Sequence, residues 1–173
     1  MSQAQDPAGD PVAVAREIAL RQLTVRARTE AELRTALTRR NVPTDAVDEV
    51  VERFSGVGLL DDAAYARDWV AAGERRLKSR RSLAQELSAK GIDRETIEGA
   101  LAGLDDETEL EVARALARRK AAATLGLDYS VRCRRLAGAL ARRGFSGSVV
   151  ALIVRESLCE SADGEEASGH LRG

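Results

Sequence analysis

Proline is scarce in this chain. Its three prolines stand at positions 7, 11 and 43, so none interrupts the 130 residues that follow Pro43. Because proline removes a backbone donor and clashes with the preceding turn, its absence, in a sequence rich in Ala, Leu, Arg and Glu, predicts an all-α fold. Aromatic residues make up 3% of the chain: Phe54, Tyr65, Trp69, Tyr129 and Phe145. They are too few and too scattered for a platform that stacks nucleic-acid bases. The two cysteines, Cys133 and Cys159, have no paired spacing, and the one histidine, His170, lies in a Gly/Glu/Ser-rich stretch. That excludes a disulfide framework and a zinc site, and fits a reducing compartment. No apolar run reaches membrane-spanning length, and the start, MSQAQDPAGDP, lacks the basic and apolar regions of a secretion signal. The expected location is the cytoplasm. No phosphate-cradling glycine loop and no histidine acid/base pair is present, so the expectation is a protein without cofactor or catalytic site, one that works by binding.

What the chain does have is internal repetition. Leu33, Leu37, Arg40, Asn41 and Val42 recur fifty residues later as Leu83, Leu87, Lys90, Gly91 and Ile92. They recur again after a further fifty-three as Leu136, Leu140, Arg143, Gly144 and Phe145. Two leucines four apart set one apolar stripe on a helix, and the basic residue complements the negative end of its dipole. Asn41, Gly91 and Gly144 then occupy the position where a left-handed residue ends a helix, followed by an apolar residue that folds back on it. A third helix follows each stop, with Asp93 and Ser146 as expected N-caps and Pro43-Thr44 in that role in the first copy. A first helix precedes each pair, over 15–23, 63–72 and 110–120. Thr29 and Glu32 form an expected capping box, and Ser79 is placed to cap the middle copy's second helix. The reading is three tandem three-helix repeats in an elongated, curved array. The copies run over 13–57, 58–104 and 105–158, between disordered tails at 1–12 and 159–173.

Charge is unevenly shared. The formal net charge is −1, yet residues 41–68 hold seven acids and two bases, whereas 112–155 hold ten bases and one acid, Asp128. Basic clusters are the candidate contact residues: Arg75, Arg76, Lys78, Arg80 and Arg81; then Arg118, Arg119 and Lys120; then Arg132, Arg134, Arg135, Arg142 and Arg143. A run of charge is usually a solvated face, but together these favour an anionic partner, either nucleic acid or an acidic protein surface. Asp61 and Asp62 are read as acids at a helix start, and Tyr65 and Trp69, four apart, as a packing contact or a binding hot spot. Gly56-Val57-Gly58 partly matches a helix-hairpin-helix loop, but the two aspartates would repel the phosphate such a loop grips.

Three segments carry a resemblance: Gly58-Leu59-Leu60-Asp61-Asp62-Ala63-Ala64-Tyr65-Ala66, then Glu86-Leu87-Ser88-Ala89-Lys90-Gly91-Ile92, then Leu140-Ala141-Arg142-Arg143-Gly144-Phe145. In this order and spacing they resemble the signatures of the RecX family of bacterial recombination regulators, over residues 13–157. The resemblance implies tandem three-helix repeats and a non-enzymatic protein of DNA repair and the SOS response. It would bind RecA and lie in the groove of the RecA–single-stranded DNA filament, blocking extension or promoting disassembly. ATP hydrolysis, strand exchange and co-protease activity would be suppressed, and some members also bind DNA directly. Asp61, Asp62, Tyr65, Trp69 and Lys90 are the family-motif residues, structural or interfacial. Where the family often has glycine ahead of the middle copy's second helix, this chain has Ser79 followed by Arg80 and Arg81. The rival reading is a stand-alone DNA-binding protein using the basic last repeat, and the third is a passive scaffold. A monomer is expected, since no long heptad is present.

Overall fold

Backbone geometry repeats as faithfully as the sequence does. The computed structural model describes residues 10–157, so the remaining tail residues, with Cys159 and His170, lie outside the described residues. The helices are α1 (Pro11–Val25), α2 (Glu30–Thr38), α3 (Thr44–Gly56), α4 (Asp62–Arg75), α5 (Arg80–Ala89), α6 (Arg94–Ala100), α7 (Asp106–Ala121), α8 (Tyr129–Arg142) and α9 (147–157). A 3-10 turn, Ala122–Thr124, follows α7, and no strand occurs among the described residues.

The second helix of every copy ends in the same way. Asn41, Gly91 and Gly144 take the left-handed conformation, at φ of 58°, 79° and 87°. The amides of Val42, Ile92 and Phe145 then donate to the carbonyls of Leu37, Leu87 and Leu140, each at 3.3 Å. This is the hydrogen-bond pattern of a Schellman stop. Helix starts are less uniform. Asp93 and Ser146 accept from the amides of Thr96 (2.9 Å) and Val149 (3.3 Å), as expected of N-caps. Pro43 precedes α3 without any side-chain cap, since a proline ring has no acceptor to offer. Helix α1 begins at Pro11, capped by Asp10, earlier than apolar periodicity indicates, because proline is well suited to a first turn.

The described chain divides into two compact units, residues 10–68 with 87–97 and residues 69–86 with 98–157. In the first, Ala15 and Ala19 of α1, Leu33 and Leu37 of α2, and Val47, Val50, Val51 and Phe54 of α3 form one core with Leu60. In the second, Ala113, Leu116 and Ala117 of α7 pack with Leu136 and Leu140 of α8, Phe145, and Ile153 of α9. In both, the first helix meets its partners through alanines four apart, which let backbones approach closely. Each buried leucine contributes about 1.5–3 kcal/mol.

One joint joins neighbouring copies, once in each unit. In the first, the completely buried Thr29 ahead of α2 donates its hydroxyl to the carbonyl of Lys90 at 2.7 Å and accepts from the amide of Glu32 at 3.2 Å. In the second, Ser79, equally buried, donates its amide to the carbonyl of Arg143 at 3.0 Å while its hydroxyl caps Ser82 at 3.1 Å. The second-helix start of each of the first two copies therefore receives the next copy's second-helix stop. Space is minimal there: a Cβ on Gly91 would stand 2.3 Å from the Cβ of Ala31, and one on Gly144 2.7 Å from the Ser79 hydroxyl.

Gly91→Ala should accordingly destabilise the fold by about 2–4 kcal/mol, from the left-handed backbone and the overlap with Ala31 together. Gly99→Ala, inside α6 with nothing within 4 Å of the new methyl, should be neutral or stabilise by up to about 1 kcal/mol. Urea unfolding midpoints of the two variants check this.

Candidate functional site

Four of the predicted basic residues converge. Helix α8 and the end of α7 with its 3-10 turn enclose a hollow of about 390 Å³ whose charged lining is Lys120, Arg134, Arg135 and Arg142. No acid lines it. Its floor is Ala123, Thr124, Leu136 and Ala139. Helical spacing explains the grouping: Arg135 and Arg142 are two turns apart on one face of α8, and Lys120 comes from the last turn of α7, where it also complements the dipole. Gly138 contributes by having no side chain, since the Arg142 guanidinium lies 3.1 Å from where its Cβ would stand. None of the four has an ion-pair partner among the described residues. The arrangement has no nucleophile or acid/base pair. It is suited to holding phosphate or carboxylate oxygens.

The other predicted residues fall elsewhere. Arg118 and Arg119 are exposed at the end of α7, outside the hollow, and Arg132 is half-buried on α8. Arg75, Arg76, Arg80 and Arg81 are exposed at the end of α4 and the start of α5. Lys78 is committed internally: its ammonium pairs with Glu86, which also accepts the indole N–H of Trp69 at 2.9 Å. Arg143 donates to the carbonyl of Arg76 and presents its own carbonyl to Ser79.

Of the family-motif residues, Asp61, Asp62, Tyr65 and Lys90 lie in the first unit and Trp69 in the second. Asp61 caps α4 by accepting from the amide of Ala64 at 2.7 Å. Asp62, expected to serve the same helix, instead accepts from the amide of Glu30 at 3.0 Å, so it helps to cap α2. Lys90 reaches the Glu32 carboxylate at 2.9 Å and sits 5.4 Å from the centre of the Tyr65 ring, a cation–π contact. Glu32 also binds Arg26 at 2.9 Å, so it does not complete the capping box with Thr29. Three cations outside the sequence clusters, Arg26, Arg28 and Arg39, gather here. Runs of charge cannot reveal them, because they meet through folding and not through adjacency.

Electrostatics record these partnerships. Burial works to raise the Glu32 pKa, but hydrogen bonds from Arg26 and Lys90 outweigh it and hold the carboxyl below its ordinary value. Glu86 behaves likewise, with Lys78 and Trp69 as the donors that win over burial. Asp62 is raised, chiefly by burial, and also by the nearby charges of Glu30, Asp93 and Asp61, against the hydrogen bond from Glu30.

Known proteins match the chain in three successive segments. Residues 15–54, 61–101 and 107–154 match, in order, family models described as the first, second and third three-helix domains of RecX. The chain belongs to the RecX family. RecX proteins are regulatory and non-enzymatic. The Regulatory protein RecX of Streptomyces coelicolor is 45% identical over 165 residues, covering 95% of this chain and 88% of its own length. That of Thermobifida fusca is also 45% identical, covering 91% and 84%. The crystal structure of RecX from Lactobacillus salivarius superimposes with a TM-score of 0.73 at 25% identity, over 86% of this chain and 97% of its own. Among the described residues, no cluster of three or more His, Cys, Asp or Glu is placed to hold a metal ion, and no helix is long and apolar enough to cross a membrane.

Carboxyls with lowered pKa contribute stability that is present above their ordinary value of 4.5 and lost as pH falls through the lower folded value. Asp62, raised, works in the opposite sense and offsets part of the loss. The urea midpoint should therefore decline below pH 4.5, and Glu32→Gln with Glu86→Gln should be less stable at pH 7 with a shallower acid decline. Equal declines in both proteins would show that the two carboxylates do not set it.

Proposed function

We propose that this RecX-family chain is a negative regulator of the RecA recombinase, binding RecA and its single-stranded DNA filament and inhibiting ATP hydrolysis, strand exchange and co-protease activity. The observation that carries the reading is the match to all three three-helix domains of a regulatory family, in order, from residue 15 to 154. The chain acts by contact, in the cytoplasm, as a monomer built of copies bounded at 13–57, 58–104 and 105–158. Its contact surface is the acid-free hollow of Lys120, Arg134, Arg135 and Arg142, with Arg118 and Arg119 beside it. The exposed Arg75, Arg76, Arg80 and Arg81 add to it. Several contact points on one chain add through high effective concentration, so each need only be modest.

The hollow also favours a second reading, a stand-alone DNA-binding protein that grips the backbone without RecA. Titration of the purified chain into RecA on single-stranded DNA, following ATP hydrolysis, decides between them. Progressive inhibition, weakened by Arg134→Gln, Arg135→Gln and Arg142→Gln together, is expected. Full hydrolysis at excess protein would overturn RecA regulation. Direct DNA binding alone would then remain, with a log–log salt slope that flattens by about 0.7 for each phosphate contact those replacements remove from a single strand.

A further inference from the structure

The hollow of the last copy has a counterpart in the first. In the first unit, α2 and the stop of α5 enclose a hollow of about 390 Å³ whose α2 wall includes Ala31, Glu32, Ala36 and Arg39. Shifted by the repeat offset of 103, these positions become Arg134, Arg135, Ala139 and Arg142, all of which line the last copy's hollow. One face of the repeated second helix is thus used twice. The opposite wall differs: in the first unit it is Ser88, Ala89, Lys90 and Gly91.

Charge on this face is again one-sided. The hollow is lined by Arg26, Arg28, Arg39 and Lys90 against a single carboxylate, Glu32. Glu32 is already held by Arg26 and Lys90, at 2.9 Å each. Arg28 and Arg39 have no ion-pair partner among the described residues, and the Nε of Arg28 is buried without a hydrogen-bond acceptor. A guanidinium partly removed from water with nothing to neutralise it is a standing cost, which an anion beside it relieves. The remaining lining is small: Ala31, Thr35, Ala36, Ser88, Ala89 and Gly91. No aromatic or large aliphatic side chain offers the anchor on which a protein interface concentrates its affinity. What is present, guanidinium forks over a shallow floor with the Ser88 hydroxyl at its edge, matches phosphate oxygens.

We propose that this hollow is a second nucleic-acid contact, in which Arg28 and Arg39 hold backbone phosphates of a single strand. It does not require RecA regulation to be the role of the chain. The test is fluorescence anisotropy of the full-length protein with fluorescein-labelled oligothymidylate over a range of salt concentrations, without RecA. For Arg28→Gln with Arg39→Gln, binding should weaken about tenfold at low salt, and the log–log salt slope should flatten by about 1.4, or 0.7 for each phosphate contact. Arg39→Gln alone, at an exposed position, should give about half that change in slope with an unaltered thermal midpoint, so a folding defect in the double variant does not decide the matter. Unchanged affinity and slope in the single variant would overturn the proposal. So would intact oligonucleotide binding with lost affinity for poly-L-glutamate, which would assign the hollow to an acidic protein surface.

Discussion

The joint between a helix start and the next copy's helix stop is the constraint from which the rest follows. A helix start has free amides and a helix stop has free carbonyls, and burying either without a partner is costly. Here each end answers the other. The hydroxyl of Thr29 meets the carbonyl of Lys90, and the amide of Ser79 meets that of Arg143. The glycines at the stops are then fixed twice, by a left-handed backbone and by a neighbour where a side chain would stand. A three-helix unit with a small core can bury both ends of its second helix only if another copy supplies the complement.

That constraint also sorts the charges. Cations close to the joints are drawn into it: Lys90 by Glu32 and Tyr65, and Arg143 by the carbonyl of Arg76. Arg39, Arg134, Arg135 and Arg142 have no ion-pair partner among the described residues, and they line the hollows. A basic residue's sequence neighbours therefore say less about its role than its register in the repeat. Lys78 and Arg80 are two positions apart, yet one is bound to Glu86 while the other is exposed.

The fold was legible because its signals are local. Two leucines four apart, a base and a left-handed residue lie within nine positions of one another, and a turn's chemistry acts over that distance. The stops at Asn41, Gly91 and Gly144 and the caps at Asp93, Ser146 and Ser79 could be read directly. What escaped was set across copies. Asp62 sits at the start of α4 and was read as serving it, but its carboxylate finds the amide of Glu30, thirty-two residues away in sequence. Glu32 was read as half of a capping box and instead joins Arg26 and Lys90. The grouping of cations at the last copy's hollow was legible in part for the same reason. Arg134, Arg135 and Arg142 share a helix and Lys120 ends the one before it, whereas Arg28 and Arg39 come together with Lys90 only once the copies stack.

The positions corresponding to the joint at the two outer copies differ from those inside. Asn41 holds in the first copy the place that Gly91 and Gly144 hold in the others, and it carries the side chain those glycines lack. At the other end, the place of Thr29 and Ser79 falls on Arg132, within α8, which begins three residues earlier and runs for fourteen residues where α2 runs for nine. The first copy thus has a Cβ at its stop where the other two have none, and the last copy has a continuous helix where the other two have a capped start.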